Sequence, residues 1–186
     1  MTQLPKRKAL RLKEYDYASS GAYFVTICTK NRANVFWKDV GANCVRPLTD
    51  LPLSAIGKIV ESEIQGIETI YSGVHIAKYC IMPDHIHLLI HLENIQFQCV
   101  TETGEHSSPL QAAEVKIIST HNPTISRIVK QFKGAITKKI GYSVWQKSFV
   151  DRIIRNDKGY SAVWEYIHYN PFHLDFAYDN IDFDLF

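Results

Sequence analysis

The sequence predicts an α+β fold: a ferredoxin-like split βαβ antiparallel sheet with an added C-terminal helix. Three observations predict it. Strand-like and helix-like segments follow one another as strand, helix, strand, strand, helix, strand, helix. The strand segments are short and dense in aromatic and β-branched residues, while the helical ones repeat apolar residues every three or four positions. At 186 residues the chain is long enough for one domain with a real core and short for two, so 1–186 is read as a single domain.

Residues 1–20 are basic and polar, with Lys6, Arg7 and Lys8, and read as an N-terminal arm. Ala22–Thr29 (AYFVTICT) reads as the first strand. Asn31, Gly41, Asn43, Pro47 and Pro52 mark a loop-rich stretch with a short strand near Val35–Trp37. Ser54 is a natural N-cap for a helix to Ile70, whose stripe is Ile56, Ile59/Val60, Ile64 and Ile67. Val74–Cys80 and His85–Leu92 form a strand pair around the turn Met82-Pro83-Asp84.

From Glu93 to Asn122 the pattern dissolves into Gln, Thr, Glu, Ser and His, and 93–122 reads as a loop insertion, since ordinary connections are far shorter. A second helix spans 123–140 on Ile125, Val129, Phe132, Ile136 and Ile140, with Arg127, Lys130 and Lys138 on its far side. Val144–Ile154 reads as extended throughout. Asn156 or Asp157 caps a last helix that Pro171 stops after Asn170. The tail from Asp175 is acidic and aromatic.

Apolar residues at 46% and charged residues at 22% exclude a disordered chain. A net charge of +2 provides no global field, so a nucleic-acid partner must be met by local clusters. Cys28, Cys44, Cys80 and Cys99 form no C-x-x-C pair and read as free thiols in a reducing cytoplasm. No stretch approaches the ~20 apolar residues of a membrane span, so the expectation is a soluble cytoplasmic protein with no membrane partner.

In His85-Ile86-His87-Leu88-Leu89-Ile90-His91, alternate side chains face opposite sides of the sheet. Ile86, Leu88 and Ile90 supply one apolar face, and His85 and His87 stand together on the other. Two readings are open for the pair alone: a shared metal ion, or an exposed sheet face with no role. His91 shares that face but lies beyond Leu89, and reads as a rim residue.

Met82-Pro83-Asp84-His85-Ile86-His87-Leu88-Leu89 resembles the histidine-hydrophobic-histidine (HUH) motif of single-tyrosine transposases. Three further segments narrow the resemblance to the REP-associated tyrosine transposases. They are Leu12-Lys13-Glu14-Tyr15-Asp16-Tyr17 running into Gly21-Ala22-Tyr23-Phe24-Val25-Thr26, then Val144-Trp145-Gln146, and Ile153-Ile154-Arg155-Asn156 through Glu165-Tyr166-Ile167-His168-Tyr169-Asn170-Pro171. Together they cover most of the chain outside 93–122. Val150 and Arg152 depart from it, standing where relatives often have an aromatic and a histidine.

The resemblance implies cleavage and rejoining of single-stranded, hairpin-forming DNA through a 5′-phosphotyrosine. Tyr166 is then the nucleophile, and His85, His87 and Asn170 hold Mg²⁺ or Mn²⁺. Spacing agrees, because positions i and i+4 such as Tyr166 and Asn170 share a helix face. The alternative is a retired copy that binds hairpin DNA without cutting. Relatives act as monomers or as homodimers that exchange the tyrosine helix, and the sequence leaves both open.

Among rival tyrosines, Tyr160 fits the apolar stripe with Val163 and Ile167, and Tyr169 fits another face. Arg127 and Lys130, with Lys147, Arg152 and Arg155, are candidate DNA contacts, against the alternative of a solvated charged surface. Trp145 is either a stacking platform for an unpaired base or part of the core. A histidine-triad hydrolase is excluded by Leu89 at the next alternate position, and a two-histidine phosphoesterase by the missing H-x-T/S pairs.

Overall fold

Apolar side chains at every second position make Gly21–Cys28 a strand, β1, whose Tyr23, Val25 and Ile27 are fully buried. The computed structural model describes residues 16–38, 53–93 and 123–172. After β1 come α1 (Ala55–Ile70), β2 (Val74–Ile81), β3 (His85–Leu92), α2 (Ile125–Ile140), β4 (Val150–Ile154) and α3 (Asp157–Tyr169), with short 3₁₀ turns at Lys30–Arg32 and Asn170–Phe172. Residues 1–15 of the expected 1–20 arm, residues 94–122 of the expected 93–122 insertion, Cys44, Cys99 and the acidic tail lie outside the described residues.

The four strands are ordered β2-β3-β1-β4 and each pairing is antiparallel. This is the predicted α+β, ferredoxin-like order, in which each helix carries the chain across a neighbouring strand. Facing residues include Thr26 opposite His87 and Phe24 opposite Leu89. β2 is irregular between Ile76 and Lys78.

Both faces of β3 are covered, so seven of its eight residues are buried and only His91 is partly exposed. α1 and α2 pack on each other, α1 also meets β2, and α3 lies against β2 and β3. Tyr160 and Tyr166 of α3 meet His91 and His87, so α3 covers the histidine face. Ile86, Leu88 and Ile90 then point to the α1–α2 layer, where each buried side chain contributes roughly 1.5–3 kcal/mol.

Side-chain caps set where the helices begin. The Ser54 hydroxyl accepts from the Gly57 N–H and donates to the Val35 carbonyl. Thr124 caps α2 through the Arg127 N–H. Asn156, rather than Asp157, caps α3 by accepting from the Gly159 N–H at 2.8 Å. Gly141, at φ +92°, ends α2 in the left-handed conformation that glycine adopts without a Cβ clash.

Two expectations are corrected. Val144–Ile154 is not one extended element: β4 covers only Val150–Ile154. Trp145 instead bridges to Thr29 and buries its ring against Phe36 and Phe132, while Lys133 Nζ holds the Gln146 and Ser148 carbonyls. Burying that indole turns the segment out of the strand path. Val35–Trp37 forms no strand either; Trp37 makes an isolated bridge with Leu53 and its indole N–H donates to Ile81.

Candidate active site

The pleat of β3 places His85 and His87 on one face with their Nε2 atoms 3.0 Å apart. Each ring is held from behind. His85 Nδ1 lies 2.5 Å from Asp84 Oδ1, so the ring donates there and Nε2 of the neutral tautomer keeps its lone pair. His87 Nδ1 lies 2.9 Å from the Thr26 hydroxyl on the neighbouring strand. Phe24 stacks on His87 with ring centroids 5.2 Å apart. Arg32 Nε meets Asp84 Oδ2 at 2.7 Å and its Nη1 donates to Cys28 Sγ.

The helix brings the phenol. Tyr166, on the partly buried side of α3, has its hydroxyl 3.3 Å from His87 Nε2 and its ring edge-on to both His87 and Phe24. One turn later the Asn170 N–H donates to the Tyr166 carbonyl, and its side chain is buried. The Asn170 Nδ2 position has no hydrogen-bond partner among the described residues. An amide turned by 180° would present its carbonyl oxygen there instead.

Burial holds His87 well below the ordinary histidine value, and the charges of His85 and Arg32 act in the same direction. Burial pushes the Asp84 carboxyl up, but its hydrogen bond to His85 and the charges of His85 and Arg32 outweigh this and keep it low. Burial pushes the Cys80 thiol up to about 12, which makes it an inert packing group.

Two imidazole Nε2 atoms 3.0 Å apart can share one proton in an N–H···N hydrogen bond or flank a cation. In an octahedral shell with bonds of about 2.1 Å, neighbouring ligands lie about 3.0 Å apart. The spacing of the pair therefore fits a divalent cation. Among the described residues no group of three His, Cys, Asp or Glu side chains assembles, so a third protein ligand would have to be of another type, as Asn170 is.

The other sequence candidates are dispersed. Lys147 is exposed and lines a cavity with Lys30, Asn31 and Arg32. Arg152, half-buried on β4, pairs across from Phe24, and Arg155 is exposed just beyond the strand. Arg127 and Lys130 are exposed on α2, in the helix layer away from α3, and do not join the cluster. Trp145 belongs to the core at 7% exposure. Tyr160 packs against the core with its hydroxyl 3.2 Å from His91 Nε2, and Tyr169 is exposed.

Sequence reasoning missed Thr26, Asp84 and Arg32. Asp84 was visible as the neighbour of His85, and Thr26 as the polar residue alternating with Phe24. Arg32 carried no signal, because its position depends on the turn after β1.

No helix among the described residues is long and apolar enough to cross a membrane. No family model matches the chain. An uncharacterized protein of Haemophilus influenzae is 31% identical over 172 residues, 89% of this chain and 88% of that one. A second protein of Haemophilus influenzae, provisionally named a REP-associated tyrosine transposase, is 26% identical over 156 residues, 84% of this chain and 73% of that one. A solved structure of a REP-associated tyrosine transposase bound to a REP hairpin superposes with a TM-score of 0.54 at 16% identity, over 95% of this chain and 76% of that one. At that identity the likeness is one of fold.

The chain thus shares the overall fold of that solved structure. It is a relative of the uncharacterized Haemophilus influenzae protein, and in sequence and fold it resembles the REP-associated tyrosine transposases.

Proposed function

We propose that the protein cleaves and rejoins single-stranded DNA that folds into a REP-like hairpin, with Tyr166 as nucleophile. The 186 residues act as one domain in the cytoplasm. One observation carries this reading: the Tyr166 hydroxyl lies 3.3 Å from an imidazole pair whose Nε2 atoms are 3.0 Å apart. The folds of relatives that include a REP-hairpin-bound transposase support the choice of substrate.

The Tyr166 oxygen attacks the scissile phosphorus, the bond to the 3′ oxygen breaks, and a 5′-phosphotyrosine forms beside a free 3′-OH. The phenol loses one proton and the leaving oxygen gains one, so no co-reactant is consumed. The ester energy is retained in the tyrosyl link, and a 3′-OH returning to the phosphorus rejoins the strand. A free phenol with pKa about 10 is ionised about once in a thousand molecules at neutral pH, so the site must favour the charged transition state. His85, His87 and Asn170 are the residues that would hold Mg²⁺ or Mn²⁺, which when bound draws charge from the phosphate oxygens and orients the group for in-line attack. Asp84 and Thr26 fix the two rings, and Phe24 and α3 keep bulk water from the His87 side.

Covalent trapping tests the reading. The protein is incubated with Mn²⁺ and a labelled hairpin oligonucleotide carrying single-stranded flanks, then resolved under denaturing conditions. A shifted protein–DNA band is expected for the native chain and absent for Tyr166→Phe. Tight hairpin binding with no covalent band at any time would replace the enzyme with a DNA-holding protein.

A further inference from the structure

The turn after β1 and the segment before β4 flank an open, solvent-facing cavity of about 550 Å³, whose lining includes Lys30, Asn31, Arg32, Trp145, Gln146 and Lys147. Its size lies within the range of small-molecule sites, roughly 300–1,000 Å³. The walls are pinned by backbone hydrogen bonds. Lys30 N–H donates to Val144 and Gln146 N–H donates to Cys28, on either side of the Thr29–Trp145 bridge. Asn31 and Arg32 sit at φ 56° and 54°, a left-handed conformation that side chains other than glycine rarely adopt. Such geometry persists only where the surroundings enforce it, and it concentrates at functional sites.

The chemistry of the lining is specific. Three cationic side chains ring this cavity and no acid is among its lining residues, whereas the whole chain carries only +2. Trp145, held in the core, forms the floor, and Asn31 and Gln146 contribute amides that can both donate and accept. The cavity also adjoins the site. Arg32 reaches Asp84, and Asp84 holds His85.

We propose that this cavity receives an unpaired nucleotide of the strand being cut, with the base facing the Asn31 and Gln146 amides and neighbouring phosphates on Lys30 and Lys147. The inference rests on the cleavage reading for the identity of the strand. A cationic groove that tracks the backbone binds single strands without strict sequence demand. Arg32, already committed to Asp84, acts as a positioning residue that links an occupied cavity to the His85 ring.

The test compares the full-length protein with Lys30→Glu/Lys147→Glu by fluorescence anisotropy in EDTA, where no cutting occurs. The probes are a hairpin with single-stranded flanks and the same hairpin with blunt ends. The variant is expected to bind the flanked probe at least about tenfold more weakly, and its log–log salt slope should be shallower by about 1.4, two phosphate contacts at roughly 0.7 each. Blunt-hairpin affinity should stay within about twofold of the native value. Photocrosslinking from 4-thiothymidine in the flank should label 30–32 or 143–147. If the double substitution does not fold, Lys30→Gln/Lys147→Gln serves for the same comparison.

Unchanged flank binding, an equal loss with the blunt hairpin, or crosslinks only elsewhere would each overturn the cavity's role. A Tyr166 adduct together with unchanged flank binding removes the cavity and leaves the enzyme. Selective loss of flank binding in a protein that never forms an adduct leaves the cavity and removes the enzyme.

Discussion

His87 sits at 0% exposure between Thr26, Phe24, His85 and Tyr166, so its ring is oriented from every side. Thr26→Val keeps the shape of the buried side chain but removes the hydroxyl beside Nδ1. Losing a partner that orients a ligating histidine is expected to lower cleavage or cation affinity about 10–100-fold. The stability cost should be about 1–3 kcal/mol, from a ring nitrogen left unsatisfied. Adduct rates, a Mn²⁺ titration and a urea melt measure both. Burial also makes His87 a source of acid sensitivity. An unfolded histidine takes up its proton near pH 6.5, whereas native His87 stays neutral well below that. Its contribution is therefore complete above the unfolded value and is lost as pH falls toward the lower native one. In chelator-treated protein, stability should drop by up to about 1 kcal/mol per pH unit through this window. His87→Gln should flatten that slope; an unchanged pH dependence would place the sensitivity elsewhere.

At the scale of elements, the approach of α1 to the segment before it leaves no room for a side chain. A Cβ on Gly57 would lie 2.1 Å from the Phe36 carbonyl oxygen, and that oxygen already accepts the Ser54 N–H. The helix N-terminus and the Phe36 backbone must separate to admit a methyl group. Gly57→Ala should cost about 1–3 kcal/mol, despite alanine's better helix propensity. Gly66 and Gly134, also helical, meet nothing within 4 Å and lack this constraint, so Gly66→Ala is the matched control. Chemical denaturation of the pair checks the assignment, and equal stabilities would show that the contact relaxes without cost. α3 shows the reverse situation, because its partners come from across the sheet. Val163 and Ile167 anchor it in the core, Tyr166 turns toward β1 and β3, and Trp164 on the outer flank lies over Lys78 of β2.

For the whole molecule, the phenol and both imidazoles meet within one chain. Mixing Tyr166→Phe with His87→Ala should therefore restore no adduct formation. Recovery of a sizeable fraction of native activity would show that α3 is exchanged between two copies. Alternation in β1 and β3 and the stripes of α1 and α2 were readable because burial imposes a period of two or 3.6 on neighbouring residues. The order strand, helix, strand, strand, helix, strand, helix then left few topologies, and the ferredoxin-like one is observed. The pairing of His85 with His87 on one face was equally local. Beyond reach were the bend that buries Trp145, the Thr26 and Arg32 supports, and the separation of Arg127 and Lys130 from the Tyr166 side. Periodicity by itself determined which residues face inward along each element. Only the strand register and the docking of α3 decided that Thr26, His87 and Tyr166, separated by 61 and then 79 positions, share one point, because contacts between distant segments depend on packing that no local pattern encodes.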